Sequence, residues 1–274
     1  MNKTLFSLTL LLFGFIATAQ IKINQYQYKI QKKINCGNGA VASAHPLASK
    51  AGVEILKKGG NAVDAAIATQ LALAVVYPAA GNLGGGGFLI GRMSNGKVIA
   101  LDYREMAPAA AHRDMYLDEK GNPLTDLSLN GHLASGVPGT VAGLFASAKY
   151  GKLPFKKLIQ PAIDLAEKGF TLTEREANNF NELDDEFRKL NTVLPVFVKE
   201  GGWKAGDTLF QKDLGNTLKR IRDNGQKGFY EGETAKLIVE EMQRGGGIIS
   251  YDDLKNYKAQ PRVPHSFNYK GYQI

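Results

Sequence analysis

The period of apolar and polar positions changes several times along the chain, and each change marks an element. From Pro46, the residues Leu47, Ala51, Val53, Ile55 and Leu56 form an apolar stripe at helical spacing, closed by Lys57-Lys58-Gly59-Gly60. The lysines suit the negative end of a helix dipole and the glycines suit a left-handed cap. Asn61 then reads as an N-cap, with Asp64 three residues on in near capping-box register. The helix it opens, 62 to about 76, is apolar almost all round, which predicts burial on every side, and Tyr77-Pro78 ends it. Residues 88–93 and 97–103 flank Ser94-Asn95-Gly96 and predict a β-hairpin. A fully buried helix packed on an antiparallel hairpin predicts α+β layering rather than a doubly wound parallel sheet.

Beyond residue 114 the pattern is more helical. A helix is expected from Thr140 to about Tyr150, closed by Gly151, and another over 155–168, with Pro154 in its first turn, Pro161 as a kink and Gly169 as the stop. Thr173 with Glu176 forms a capping box. Residues 213–224 and 233–244 are amphipathic and end in glycine, and Ser250 with Asp253 caps a short helix to about Tyr257. Residues 263–268 and 272–274 read as strands around a Lys270-Gly271 turn. Three residues fall short of a usual strand of about 5–6, so the expectation is an N-terminal portion of a longer polypeptide; a short edge strand is the alternative.

Composition narrows the classes. With 274 residues, 44% hydrophobic and 22% charged, the chain is globular rather than disordered. A lone cysteine, Cys36, excludes a disulfide framework and a multi-cysteine metal centre, and His45, His112, His132 and His265 lack metal-ligand spacing, so no metal is expected. The opening MNKTLFSLTLLLFGFIATAQ has a basic start, a short apolar run and an A-x-A site. It predicts a signal peptide at 1–19, cleaved after Ala19, and hence an exported protein, periplasmic or secreted. Its removal takes away Lys3, lowering the net charge from +8 to +7. Residues 20–39 form a basic arm carrying Lys22, Lys29, Lys32 and Lys33; it is irregular and contains Gln and Asn, and an exported protein seldom meets nucleic acid, so a solvated arm is expected rather than a nucleic-acid site. No later segment reaches about 18 consecutive apolar residues, so no membrane anchor is expected. The domain proper is 40–274.

Three strings invite chemistry. Gly81-Asn82-Leu83-Gly84-Gly85-Gly86-Gly87 lacks dinucleotide-fingerprint spacing and precedes a strand instead of following one. Four consecutive glycines mean that something approaches this backbone closely, either a neighbouring segment or a reacting group. Residues 91–97 satisfy G-x-x-x-x-G-K, but Val98 stands where a magnesium-binding hydroxyl belongs, and Ser135 fails the nucleophile-elbow pattern. In Asp102-Tyr103-Arg104-Glu105-Met106-Ala107-Pro108, Arg104 leaves a strand into a loop. It is either a surface ion-pair partner of Glu105 or Asp102, or a planar fork for a carboxylate.

Taken in order, Gly59-Gly60-Asn61-Ala62-Val63-Asp64-Ala65-Ala66, the glycine run with Phe88, and the string from Asp102 to Pro108 resemble the γ-glutamyltranspeptidase (glutathione hydrolase) family. Ser135-Gly136-Val137-Pro138-Gly139-Thr140-Val141-Ala142-Gly143 and Gly228-Phe229-Tyr230 add to the resemblance, which covers about 40–274. It implies an N-terminal-nucleophile hydrolase with an αββα sandwich, incomplete in this chain, made as a self-cleaving precursor. The implied nucleophile is the first residue of the small subunit, a Thr activated by its own α-amine. It transfers the γ-glutamyl group of glutathione and other γ-glutamyl amides to water or an acceptor amine, without metal or organic cofactor. Arg104 matches the residue that grips the α-carboxylate of the glutamyl group in a buried two-point pair. The nucleophile lies beyond the position matching Ile274, and neither Thr140 nor Thr173 replaces it, so no catalytic residue is expected here and the chain alone should be inactive. The rival readings are a non-catalytic binding or assembly component and a related amide acylase. The acylase is disfavoured because a neutral acyl group gives a buried guanidinium no counter-charge.

Overall fold

The computed structural model describes residues 35–191 and 193–274; the expected leader, its cleavage point and most of the basic arm lie outside the described residues. Helix α1 (Pro46–Lys57) opens on His45, whose Nδ1 accepts the Leu47 N–H at 3.2 Å, with Pro46 at the first helical position. Helix α2 (Ala62–Val76) carries a full capping box: Asn61 Oδ1 accepts the N–H groups of Val63 and Asp64, and Asp64 accepts the Asn61 N–H at 2.8 Å. Strands β1 (Phe88–Arg92) and β2 (Val98–Asp102) form the expected hairpin, Phe88 opposite Asp102 and Arg92 opposite Val98. A long excursion follows, with α3 (Thr125–Leu129) and a single 3-10 turn at His132–Ala134.

The rest is mostly helix: α4 (Thr140–Ala148), α5 (Phe155–Lys168), α6 (Glu174–Glu182), α7 (Asp184–Leu190), α8 (Lys212–Asn224), α9 (Lys227–Tyr230), α10 (Gly232–Gly245) and α11 (Tyr251–Asn256). Pro154 is the N-cap of α5 rather than part of its first turn, and Pro161 sits inside that helix. Two-residue strands β3 (Phe170–Thr171) and β4 (Thr208–Leu209) pair with each other, and β5 (Gln260–Pro261) pairs antiparallel with β2. Strands β6 (Asn268–Tyr269) and β7 (Tyr272–Gln273) flank the Lys270-Gly271 turn, where both residues have positive φ (49° and 83°), the mirror-image geometry that suits a two-residue hairpin. The expected strand over 263–268 is thus reduced to its last residue. Residues 260–261 do the longer-range pairing instead, across some 160 positions that no local pattern reveals.

The class is α+β, helices around small antiparallel sheets. Ile67, Leu71, Ala72 and Val75 on α2 are at most 1% exposed, but Ala62 and Ala66 are exposed and Gln70 and Leu73 only half-buried, so the helix keeps one open stripe instead of the burial on every side that its composition predicts. Its main packing partners are helices. Helices α1 and α5 flank it, and α4 is the helix lying against β2. Small size explains this: Gly143 on α4 abuts the ring of Tyr103, and any larger residue would hold the helix off the strand end. The sheet reaches α2 through the Tyr103 hydroxyl, which donates to Gln70 Oε1 at 3.2 Å.

Candidate functional site

Strand β2 ends at Asp102, and the next three residues carry the site. Tyr103 is buried, and its backbone continues the ladder to Gly87, donating to the Gly87 C=O at 2.9 Å. Arg104 is fixed at both of its backbone polar groups. Its N–H donates to Asp102 Oδ1 at 3.0 Å, an Asx-type bond two residues on, and its C=O accepts the Tyr257 hydroxyl at 2.6 Å. The chain then pairs again at Met106 with Val137, which closes the excursion.

The Arg104 side chain behaves differently. It is 64% exposed, with Nε 3.3 Å from Glu105 Oε2 and Cζ 5.8 Å from the centre of the Phe88 ring. A buried guanidinium was expected; this chain by itself presents an exposed one, paired with Glu105. Asp102, the other candidate partner, is taken by Arg262, whose Nε and Nη2 lie 3.1 Å and 2.8 Å from Asp102 Oδ2. The Arg104 N–H bond, then the bond from Arg262, hold the Asp102 carboxyl below its ordinary 3.8.

The glycine run is pressed against this turn. A Cβ on Gly86 would lie 2.5 Å from the Tyr103 carbonyl oxygen and 2.8 Å from both Arg104 Cα and Glu105 N. Gly85 offers its C=O to the N–H groups of Gly139 and Thr140 at 2.8 Å and 3.0 Å. Asn82 Oδ1 accepts the Gly85 N–H and, at 2.6 Å, the Thr140 hydroxyl. Gly84 faces open space. Of the two explanations for four glycines, a neighbouring segment packing on the run is the one seen, with the site-bearing turn as that segment. Beside it lies a groove of about 820 Å³ lined by Asn38, Ser43, Asn61, Gln70, Phe88 and Tyr103, and Phe88 brings Arg104 to its rim.

Behind the turn stand two tyrosines. Tyr257 stacks on Tyr230 with ring centres 6.0 Å apart and planes 6° from parallel. The Tyr230 hydroxyl donates to the Pro138 C=O at 2.9 Å and accepts the Ala142 N–H at 3.2 Å. Burial raises the pKa of both phenols; that of Tyr257 is pushed up to about 12, by burial first and then by the charges of Asp102 and Glu105. Sequence reasoning gave neither tyrosine a role, since Tyr257 meets Arg104 across 153 positions. The Asp102 contact carried a local signal, an Asp two residues before the N–H it holds.

Thr140 is fully buried at the start of α4, and Thr173 caps α6 through the Glu176 N–H. Among the described residues no cluster of His, Cys, Asp or Glu could hold a metal ion, and no helix is long and apolar enough to cross a membrane.

A helical α+β scaffold that fixes an arginine where a strand ends, backed by a glycine run, defines the class of protein in structural terms. Comparison with known proteins supplies the family. Residues 48–274 match the family model described as Gamma-glutamyltranspeptidase. The glutathione hydrolase proenzyme of Escherichia coli (strain K12) is 49% identical over 250 residues, covering 88% of this chain and 42% of that protein. The crystal structure of Helicobacter pylori gamma-glutamyltranspeptidase superimposes with a TM-score of 0.85 at 46% identity, over 88% of this chain and 70% of that one. A cephalosporin acylase from Bacillus halodurans gives 0.78 at 29% identity, over 92% of this chain and 48% of that one. The chain belongs to the gamma-glutamyltranspeptidase family, and it spans less than half the length of the glutathione hydrolase proenzyme it matches.

Proposed function

We propose that this chain supplies the large-subunit side of an exported γ-glutamyl transferase and hydrolase acting on glutathione and related γ-glutamyl amides. The observation that carries the reading is Arg104, fastened through its backbone at the end of β2 in a chain of this family. In this reading a partner polypeptide carries an N-terminal Thr, released by self-cleavage of a precursor. Its α-amine takes the hydroxyl proton, the oxygen attacks the γ-amide carbonyl, and the amine leaves with a proton. Water or an acceptor amine then resolves the acyl-enzyme.

The chain's own contribution is recognition. Glu105 engages Nε of Arg104, and the terminal nitrogens are the edge to which a substrate α-carboxylate docks by two parallel bonds. The partner's arrival buries that pair, which lowers the local dielectric and makes a donor without the carboxylate costly to bind. Strands β1, β2 and β5 are one part of an αββα sandwich that the partner completes; Phe88 (61%) and Ile90 (74%), exposed on one face of the hairpin, support a missing layer there. Export follows from the leader, with Gln20 as the first mature residue.

The test is co-expression with the family's small-subunit polypeptide, N-terminal sequencing of the product, and turnover of a γ-glutamyl anilide. Arg104→Ala and Arg104→Lys should each raise KM at least tenfold, the loss of a charged hydrogen-bonding pair being worth about 1.5–3 kcal/mol. An unchanged KM removes Arg104 from the site. The likeness to an acylase supports a second reading, in which Arg104 stays exposed after assembly, as it is in this chain, and a neutral acyl group leaves no buried guanidinium unpaired. Faster turnover of a neutral acyl amide than of the γ-glutamyl anilide would decide for the acylase. Absence of turnover in the assembled complex would leave an assembly role.

A further inference from the structure

The accuracy of an arginine that must meet a carboxylate at two points depends on what fixes its backbone. In Arg104 the side chain is exposed and lightly held, so the backbone fixings decide where the guanidinium starts from. One of them is Asp102, its own neighbour in sequence. The other comes from a different part of the fold. Tyr257 is 7% exposed, sits at the C-terminal end of α11 and gives its hydroxyl to the Arg104 C=O at 2.6 Å.

That hydroxyl is itself positioned. The Tyr257 ring lies flat on Tyr230, and Tyr230 is tied to Pro138 and Ala142 at the start of α4. Gly139 lets the assembly close, since a Cβ there would overlap both the Tyr103 carbonyl oxygen and the Tyr257 hydroxyl. Gly86 bears on Arg104 Cα as well. The turn is therefore closely packed by a glycine and held by a tyrosine whose hydroxyl satisfies the Arg104 carbonyl. The phenol pKa, pushed up to about 12, keeps this group a donor through neutral and alkaline pH.

We propose that Tyr257, backed by Tyr230, is a positioning residue for Arg104 and so sets affinity for the γ-glutamyl carboxylate without touching substrate. This rests on the reading of Arg104 given above. Removing the hydroxyl frees the Arg104 carbonyl to rotate, and the guanidinium leaves the geometry that two-point binding requires. Small displacements of this kind weaken binding while leaving a nucleophile on another polypeptide in place.

The experiment is a double-mutant cycle in the assembled enzyme, using a γ-glutamyl anilide as donor, with Tyr257→Phe, Arg104→Ala and both together. Tyr257→Phe keeps the stacked ring, and its melting temperature is recorded alongside. The expected result is a rise in KM of about tenfold with kcat little changed, and no further rise when Tyr257→Phe is added to Arg104→Ala. Tyr230→Phe, which loosens the backing ring, should raise KM by a smaller factor. A normal KM in Tyr257→Phe overturns the inference, as does a rise that persists at full size without the arginine. If Arg104→Ala itself leaves KM unchanged, the reading of Arg104 fails and the inference falls with it. A normal KM in Tyr257→Phe beside a raised one in Arg104→Ala removes only the tyrosine's role.

Discussion

Asp64 is fully buried, and its carboxylate accepts N–H groups from Asn61 at 2.8 Å, from Lys152 at 2.9 Å and 3.1 Å, and from Leu153 at 3.3 Å. One side chain thus caps α2 and holds the turn between α4 and α5, while Asn61 Nδ2 donates to the Tyr150 C=O at 2.7 Å from beside it. A buried carboxylate is tolerable only because acceptors and donors match so closely. Asp64→Asn keeps the shape but turns one acceptor into a donor facing an N–H. It should destabilise the chain by about 2–4 kcal/mol, since at least one buried N–H is left unpaired and another polar group opposes it. Urea unfolding followed by far-UV circular dichroism measures this; a loss under about 0.5 kcal/mol, the range of ordinary surface changes, would show that the cap alone matters. The sequence announced the capping half of this residue and hid the tertiary half, because Asn61-Ala62-Val63-Asp64 is a local pattern and Lys152 is 88 positions away.

The same division runs through the elements. Helices that open on a capping box or stop at a positive-φ glycine were legible: Asn61/Asp64, Thr173/Glu176, Ser250/Asp253, Gly169 and Gly225 all stand where their pattern put them. Pairings that span the chain were not: nothing local announces β3 with β4 or β2 with β5, nor that α4 shares the end of the sheet with α2. Arg104 was legible as a residue leaving a strand, but its exposure and its tyrosine support were not. The glycine run lies between these cases: its need for close approach was legible, and the approaching segment was not. It also separates glycines that are required from one that is not. Gly86→Ala drives a methyl group into backbone atoms of Tyr103, Arg104 and Glu105, which cannot swing aside as a side chain would. Gly84→Ala meets nothing within 4 Å. The first should cost about 1–3 kcal/mol of stability by overpacking and the second less than about 0.5. Thermal melts of the two variants compare them directly, and equal melting temperatures would refute a packing role for the run.

At the scale of the molecule, carboxylates with depressed pKa values join its parts. Asp102 ties β2 to Arg262 just past β5, held low first by the Arg104 N–H and then by Arg262. Asp207 is lowered by Lys199 and then by the Lys204 N–H. Burial pushes Glu176 and Asp253 up, but the bonds from His45 and Thr173 to the first, and from Ser250 and Ala109 to the second, leave both below their ordinary values of 4.5 and 3.8. Glu176 thereby links α6 to the start of α1, and Asp253 links α11 to the excursion that follows Arg104. A carboxyl whose pKa is lower folded than unfolded contributes stability that is complete above the unfolded value and is lost as pH falls through the folded one. The melting temperature should therefore hold level from pH 7 to about 5 and fall once pH drops below 4.5, then 3.8, the ordinary values from which these groups are lowered. The formal net charge of +8 works in the same direction, because every proton taken up adds to a positive surplus. Glu176→Gln tests the attribution: it should start less stable at pH 7 and lose less between pH 5 and 3, since the group that protonates there is already neutral. A melting temperature that stays constant from pH 5 to 3 in the unsubstituted chain would mean that these ties hold no differential charge stability, and that apolar burial around α2 alone keeps the elements together.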